Sequence, residues 1–278
     1  MNQPPVHAGQ PEPPQPIPLS PARLSGVVFG IATQALFAVT VVYLFAFLRY
    51  GVIAPGPDWW WQDGLLALQF AIPHSILLHP RFRTLFRSWF PGEMHGAFFC
   101  VYTCLSLLVM FQFWKTGPTV LWDLTGWHET LMLSGFYGSW AGLLYSISLT
   151  GLGYQTGWTQ WVHWYHRRPL PRRDFQERSL YRVLRHPVYL SFLGLIWFTP
   201  VMTADHAVLT GVWTAYIFGG SILKDRRLLY YLGASYAAYM TRVAGYPGVF
   251  FGPLGKSLAG ASEVHPVSGK SKTKSRAA

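Results

Sequence analysis

Six apolar runs divide the chain, and each is close to the length of a membrane-crossing helix. A helix needs about 20 mainly apolar residues to cross the hydrocarbon core of a bilayer. Pro73 and His74 interrupt the second run, but proline is tolerated where neighbouring helices satisfy the backbone groups that it frees. The pattern predicts an all-α, polytopic integral membrane protein with about six transmembrane helices. The runs cover residues 25–48, 60–79, 95–114, 130–152, 186–203 and 206–223.

Composition favours a membrane environment over a water-soluble one. Hydrophobic residues make up 51% of the chain and charged residues only 12%, whereas soluble domains carry about 25% charged residues. The formal net charge of +11 raises the question of nucleic acid binding. The basic residues avoid the apolar runs and lie in the short segments between them, however, which is not the continuous basic face that phosphates require. No nucleic acid partner is expected.

The positions of lysine and arginine predict how the chain is oriented. If the N-terminus is cytoplasmic, twenty of the 22 basic residues lie in cytoplasmic segments, and only Arg49 and Lys115 lie on the other side. Cytoplasmic loops of membrane proteins carry such an excess of positive charge. Both termini are therefore predicted to be cytoplasmic, with the protein in the inner membrane if its source is bacterial.

The ends of the chain differ in composition from the apolar runs. Residues 1–23 are rich in proline and are predicted to form a disordered cytoplasmic tail. Residues 24–250 form the predicted membrane domain, and residues 251–278 a disordered basic tail that suits anionic membrane lipids. After the sixth run, apolar residues recur every three or four positions, which predicts an amphipathic helix at the cytoplasmic surface. These residues are Leu228, Leu229, Leu232, Tyr236, Tyr239, Met240 and Val243.

The stretch Arg185-His186-Pro187 places polar chemistry at the beginning of the fifth run. Proline suits the first turn of a helix, so Pro187 is expected to begin this helix and to leave Arg185 and His186 at its N-terminal end. Helix N-termini carry free N–H groups and partial positive charge. Together with Arg185 they form a site for a carboxylate or phosphate.

The lengths of the fifth and sixth runs predict what lies opposite this site. Arg185 to Thr203 and His206 to Lys224 are 18 residues each, and each leg would rise about 27 Å as a helix. The hairpin would return Lys224 and Asp225 to the level of Arg185 and His186. A carboxylate and several cations would then share one cytoplasmic pocket.

At these residues the sequence resembles the membrane methyltransferases related to isoprenylcysteine carboxyl methyltransferase, and within them the methanethiol S-methyltransferases. The resemblance extends over most of the apolar part of the chain, and the combination of an Arg-His-Pro-x-Tyr stretch, a Pro-x-Met-Thr stretch and a Gly-x-x-Tyr stretch is specific. The similar segments are Pro73-His74-Ser75, Leu152-Gly153, Arg168-Pro169, 181–189, 200–206, Tyr216-Ile217 and 233–236.

The resemblance implies transmembrane helices around a cytoplasm-facing pocket for S-adenosylmethionine. Arg185, His186 and Tyr189 would contact this cofactor, and Asp225 would face its amino group or its sulfonium. His74, which matches a His-Ser pair of the family, would lie toward the methyl acceptor as the catalytic candidate. The acceptor would be a small thiol, as in the conversion of methanethiol to dimethyl sulfide, or another apolar, lipid-like molecule. Such a transfer needs positioning and desolvation without a metal.

The sequence also departs from the family. Where the family typically has Glu-Glu-Arg-Asp-Leu, this chain has Lys224-Asp225-Arg226-Arg227-Leu228, and these cations would repel a positively charged cofactor. Residues 153–160 differ from the family as well. The alternative is a catalytically degenerate member that acts as a membrane binding or accessory protein. The wider superfamily also includes proteins linked to nitrogen-oxide respiration, but the sequence offers no redox ligand set.

Overall fold

The computed structural model describes residues 20–51, 56, 59–170 and 176–258, and each of the six apolar runs contains a helix. Most of the two predicted tails, residues 1–19 and 259–278, therefore lies outside the described residues. The helices are α1 (Pro21–Tyr50), α2 (Trp59–Leu77), α3 (Pro80–Trp89), α4 (His95–Phe113), α5 (Trp127–Thr150), α6 (Leu152–Gln155), α7 (Trp158–Tyr165), α8 (Pro187–Trp197), α9 (Ala204–Leu232) and α10 (Ala234–Arg242). Two short strands are β1 (Val120–Asp123) and β2 (Val201–Thr203).

Three helical segments are long and apolar enough to cross a membrane, namely Arg23–Tyr50, Gly92–Phe113 and Ala204–Leu232. The prediction of a membrane protein built from helices is confirmed at this level, whereas the count of six crossings is not shown. Apolar side chains on α1 face outward, as lipid contact requires; Val28, Ile31 and Val42 are all more than half exposed.

The fifth apolar run corrects one expectation from the sequence. A continuous helix was expected over residues 186–203, but α8 has only 11 residues and rises about 16 Å, roughly half the thickness of the hydrocarbon core. Pro200 accounts for the early end, because a proline disfavours helical backbone at the residue before it, here Thr199. The chain continues as the extended strand β2.

The strands β1 and β2 form an antiparallel pair that the sequence analysis missed. Trp122 pairs with Met202 across the two strands, and Val120 pairs with Thr203. The Trp122 indole also donates a hydrogen bond to the Thr199 carbonyl at 3.1 Å. The pair joins the connection between α8 and α9 to the chain that follows α4.

The helices pack around one apolar core. Helix α5 packs on α8, α1 on α4, and α2 on both α4 and α9. Large side chains with almost no exposed surface fill the space between them and exclude gaps that would weaken the packing. Members of this core are Met110, Trp114, Phe136, Leu195, Ile196 and Leu209.

The amphipathic segment after the sixth run forms two helices instead of one. Helix α9 continues to Leu232, and Gly233, with a φ of +59°, separates it from α10. The expected apolar face is nevertheless confirmed. Tyr236, Tyr239, Met240 and Val243 form one buried cluster against Leu228, Leu229 and Leu232. The turn at Gly233 folds α10 back along the end of α9.

Gly157 lies where the beginning of α7 approaches α4, and a substitution at this position tests how close that approach is. Its φ is +77°, and a Cβ there would lie 2.2 Å from the Ala97 backbone nitrogen. We expect Gly157→Ala to lower the stability by about 2 kcal/mol or more, because the left-handed backbone and the contact both oppose a side chain. The measurement is the thermal unfolding midpoint in detergent. Gly138→Ala is the matched control, since nothing lies within 4 Å of that position; equal midpoints for the two variants would contradict the prediction.

Candidate functional site

The Asp225 carboxylate of α9 gathers three donors from two other segments. Its Oδ2 lies 3.1 Å from Arg185 Nη2 and 3.1 Å from His186 Nε2. Its Oδ1 accepts a hydrogen bond from the Tyr236 hydroxyl at 2.6 Å. Asp225, Arg185 and His186 are 3%, 1% and 0% exposed. These four residues, called the Asp225 cluster below, form a buried charged group that water does not reach.

The beginning of α8 sets the positions of Arg185 and His186. Pro187 is the first residue of the helix, and His186 is its N-cap residue. The eleven residues of α8 rise about 16 Å, and the extended residues 198–203 add up to about 20 Å. That total is close to the roughly 32 Å from the start of α9 to Asp225. The two halves of the hairpin, residues 187–203 and 204–225, therefore have similar lengths, as expected, although only about half the length of the first is helical.

Arg185 also binds the last turn of α10 and the chain that follows this helix. Its Nη1 donates to the Met240 carbonyl at 3.2 Å, and its Nη2 donates to the Pro253 carbonyl at 3.1 Å. Its backbone N–H donates to the Ala244 carbonyl. Residues 244–257, called the C-terminal strap below, thus cover the Asp225 cluster. The strap extends beyond residue 250, where the sequence analysis placed the end of the membrane domain.

Gly245 lets the C-terminal strap approach the cluster closely. A Cβ at this position would lie 2.4 Å from the Leu254 carbonyl oxygen and 3.0 Å from Cδ2 of His186. Both neighbours are fixed, the first by the Tyr246 N–H that it accepts and the second by the bond from His186 to Asp225. Any larger residue would push the strap off the cluster.

Tyr189 and Lys224 lie beside the Asp225 cluster. The Tyr189 ring is 5.5 Å from the His186 ring, centroid to centroid. The Lys224 ammonium lies 5.2 Å from the centroid of the Tyr189 ring and 6.0 Å from that of Tyr181. In the part of the chain that the structure describes, Asp225 pairs with Arg185 and His186 and not with Lys224. The cation of Lys224 therefore faces aromatic surface instead of the neighbouring carboxylate.

His74 lies in a separate aromatic environment on α2. Its Nδ1 is 3.3 Å from the Thr103 hydroxyl, and its ring contacts those of Phe99 and Tyr216 at 4.7 and 6.1 Å. Among the described residues it makes no hydrogen bond to the Asp225 cluster. Arg227 lies between the two groups, close enough to act electrostatically on His74, Tyr189 and Tyr216, and its Nη1 donates to the Leu78 carbonyl at 3.3 Å.

Burial shifts the titration of the groups around Asp225. It lowers the pKa of His186 below 6.5, although the hydrogen bond and charge of Asp225 act in the opposite direction. Burial likewise raises the pKa of Tyr236, and the neighbouring Asp225 charge raises it further. His186 is thus neutral and Tyr236 protonated at neutral pH. Arg185 and Asp225 then supply the two opposite charges of the cluster.

Tyr236 and the C-terminal strap are the parts of this site that the sequence did not assign. Tyr236 was expected as a member of an apolar helical face and of the Gly-x-x-Tyr stretch, but no role at the site was assigned to it. A buried tyrosine usually finds a partner for its hydroxyl, and that was the available signal. The strap gave no comparable signal, because its carbonyl groups carry no residue-specific information.

Among the residues that the structure describes, two buried polar atoms of the cluster find no hydrogen-bond partner, namely Arg185 Nε and His186 Nδ1. Both belong to residues at the N-terminal end of α8, where the first helical N–H groups also lack partners within the helix. The Arg185 Nε–H and the N–H groups of this helix N-terminus are donors that favour a negatively charged ligand, whereas Nδ1 of the neutral His186 ring, which donates through Nε2, is an acceptor. The Asp225 carboxylate, by contrast, already accepts from three donors.

Comparison with known proteins gives relatives along most of the chain. It is 32% identical over 235 residues to methanethiol S-methyltransferase 1 of Bradyrhizobium diazoefficiens, covering 78% of this chain and 80% of that protein. It is 28% identical over 232 residues to methanethiol S-methyltransferase of a Pseudomonas species, covering 80% and 89%. It is 26% identical over 166 residues to nurim of Mus musculus, covering 56% and 62%. No protein-family model and no solved structure matches the chain.

The pKa of His186 predicts how stability depends on pH. Because its folded pKa lies below 6.5, the unfolded chain takes up the proton first as the pH falls, and the folded state loses stability. Stability from this group is complete above pH 6.5 and declines as the pH falls toward the folded pKa. We expect His186→Gln, which keeps an uncharged donor, to show a weaker fall in unfolding midpoint between pH 7 and pH 5. Parallel pH profiles for both proteins would contradict this.

Proposed function

Because the chain belongs to the membrane methyltransferases of the isoprenylcysteine carboxyl methyltransferase-like superfamily, we propose that it is an integral membrane enzyme that uses S-adenosylmethionine. We propose a small thiol as the methyl acceptor, on the model of methanethiol conversion to dimethyl sulfide, with another apolar molecule as the broader possibility. The observation that carries the proposal is the Asp225 cluster at the N-terminus of α8.

The residues of the cluster fit the amino-acid end of this cofactor. S-adenosylmethionine supplies an electrophilic methyl group on a sulfonium centre. Arg185 Nε is an unused donor, and together with the α8 N-terminus it suits the carboxylate of the cofactor, whereas His186 Nδ1 is an unused acceptor. Tyr189 offers a ring face next to His186. Asp225 would accept the ammonium group only if one of its three present donors gave way.

The acceptor side of the proposed pocket lies toward α2. His74 is held by Thr103 and enclosed by the rings of Phe70, Phe99 and Tyr216. A largely apolar, aromatic surrounding excludes water and favours uptake of a small apolar molecule from the bilayer. We assign His74 the task of orienting the acceptor, with Arg227 linking this region to Tyr189.

We also propose an arrangement in the membrane. Six crossings place Arg185, Lys224 and the C-terminal strap on the cytoplasmic side, where a soluble charged cofactor is available. The distribution of lysine and arginine supports this orientation, with both termini cytoplasmic. An apolar acceptor and its methylated product would use the lipid side.

A catalytically degenerate member is the second candidate, and one observation favours it. Asp225 is fully engaged by Arg185, His186 and Tyr236, and the Arg185 side chain has no exposed surface. A cluster satisfied in this way can serve stability alone. Such a protein would keep the membrane fold as a binding or accessory protein and would not bind the cofactor.

Binding of S-adenosylhomocysteine separates the two candidates. The full-length protein in detergent should bind this product in calorimetry, and Tyr189→Ala should weaken binding about tenfold through loss of the ring face. Tyr230→Ala is the matched control. Tyr230 lies on α9 five residues after Asp225, and 65% of its surface is exposed. The enzyme should also release dimethyl sulfide into the headspace of a non-producing host fed methanethiol. An intact protein without affinity for S-adenosylhomocysteine would support the degenerate candidate.

A further inference from the structure

The positively charged Lys224 side chain lies against aromatic rings instead of against a carboxylate. Its ammonium faces the rings of Tyr189 and Tyr181 at 5.2 and 6.0 Å. Ring faces attract a cation, but they carry no net charge and do not neutralise it. A half-buried ammonium without a counterion is unfavourable unless a negatively charged group binds beside it.

The nearby carboxylate does not supply that group. Asp225 Oδ2 is taken by Arg185 and His186, and Oδ1 by Tyr236. The remaining acid of this region that the structure describes, Glu177, pairs with Arg242 at the surface. None of the acidic side chains that the structure describes therefore forms an ion pair with Lys224.

The two cations that act electrostatically on Lys224, Arg185 and Arg227, both have hydrogen-bond partners. Arg185 donates to Asp225 and to two backbone carbonyls. Arg227 lies three residues further along α9, on the same helical face as Lys224, and donates to the Leu78 carbonyl. It adds positive potential toward Tyr189 and His74, and this potential also favours an anion between α2, α8 and α9.

We infer that Lys224 binds the methyl acceptor in its anionic form, so that the acceptor of the proposed reaction is a thiolate or another small organic anion. This inference rests on the proposed function and names its acceptor class. The thiol gives its proton to water as it binds, and Lys224 keeps its own proton throughout. The acceptor sulfur forms the new S–C bond while the S–C bond of the sulfonium breaks, and that electron pair stays on the departing thioether. The product is neutral and loses its attraction to Lys224.

Two small probes of similar shape measure this preference directly. Methanesulfonate carries a negative charge, and dimethyl sulfone is neutral. We expect the full-length protein in detergent to bind methanesulfonate more tightly than dimethyl sulfone. Lys224→Met, which keeps the length of the side chain and removes its charge, should weaken methanesulfonate binding at least about tenfold and leave dimethyl sulfone unchanged. Lys224→Arg should retain the preference.

Controls make the result specific to the acceptor. Lys115→Met makes the same change near the opposite end of α9, where the Lys115 N–H bonds Asp63, and should behave as wild type. Affinity for S-adenosylhomocysteine should be nearly the same in Lys224→Met and wild type, whereas the KM for methanethiol should rise about tenfold. The probes are titrated both with and without S-adenosylhomocysteine, so methanesulfonate binding is measured even if the protein does not bind that ligand. Lack of affinity for S-adenosylhomocysteine would reject the proposed enzyme, and the methanesulfonate titration would still test the anion site at Lys224. Equal binding of the two probes to wild type, or unchanged methanesulfonate binding in Lys224→Met, would overturn the inference.

Discussion

The buried charge of Asp225 is the constraint on which the arrangement of α8, α10 and the C-terminal strap depends. It joins the beginning of α8 through Arg185 and His186, and α10 through Tyr236. Through Arg185 it also reaches the C-terminal strap at Pro253. Removing one partner of a buried ion pair leaves the other uncompensated, which typically costs about 3–5 kcal/mol. The strap, α8 and α10 are thus held by one carboxylate and cannot shift independently.

The same arrangement divides the charges between stability and binding. Arg185 neutralises Asp225 inside the protein, so Lys224 is left beside Tyr181 and Tyr189 without that carboxylate as a partner. Had Lys224 paired with Asp225, less positive charge would lie beside the Tyr181 and Tyr189 rings. The neutral state of His186, which burial favours by lowering its pKa, keeps the cluster itself close to electrically balanced.

Much of the fold could be predicted from hydropathy, because apolar runs of membrane length and three- to four-residue spacing are local signals. They located a helix in all six runs and the apolar face of α10. The break at Thr199 and the pairing of β1 with β2 were missed, since the strands are too short to show an alternating pattern. The meeting of Arg185 with Asp225 followed from matched lengths. Its bonds to the Met240 and Pro253 carbonyls could not be predicted, because backbone acceptors look alike in every sequence.

A double-mutant cycle on Arg185 and Asp225 tests the central claim most directly. The measurement is the free energy of unfolding in detergent for Arg185→Leu, Asp225→Leu and the double variant. If the ion pair organises α8, α10 and the C-terminal strap, each single variant loses about 3–5 kcal/mol, and the double variant loses clearly less than their sum, because no unpaired buried charge remains. Strictly additive losses, or a single variant as stable as wild type, would contradict the account.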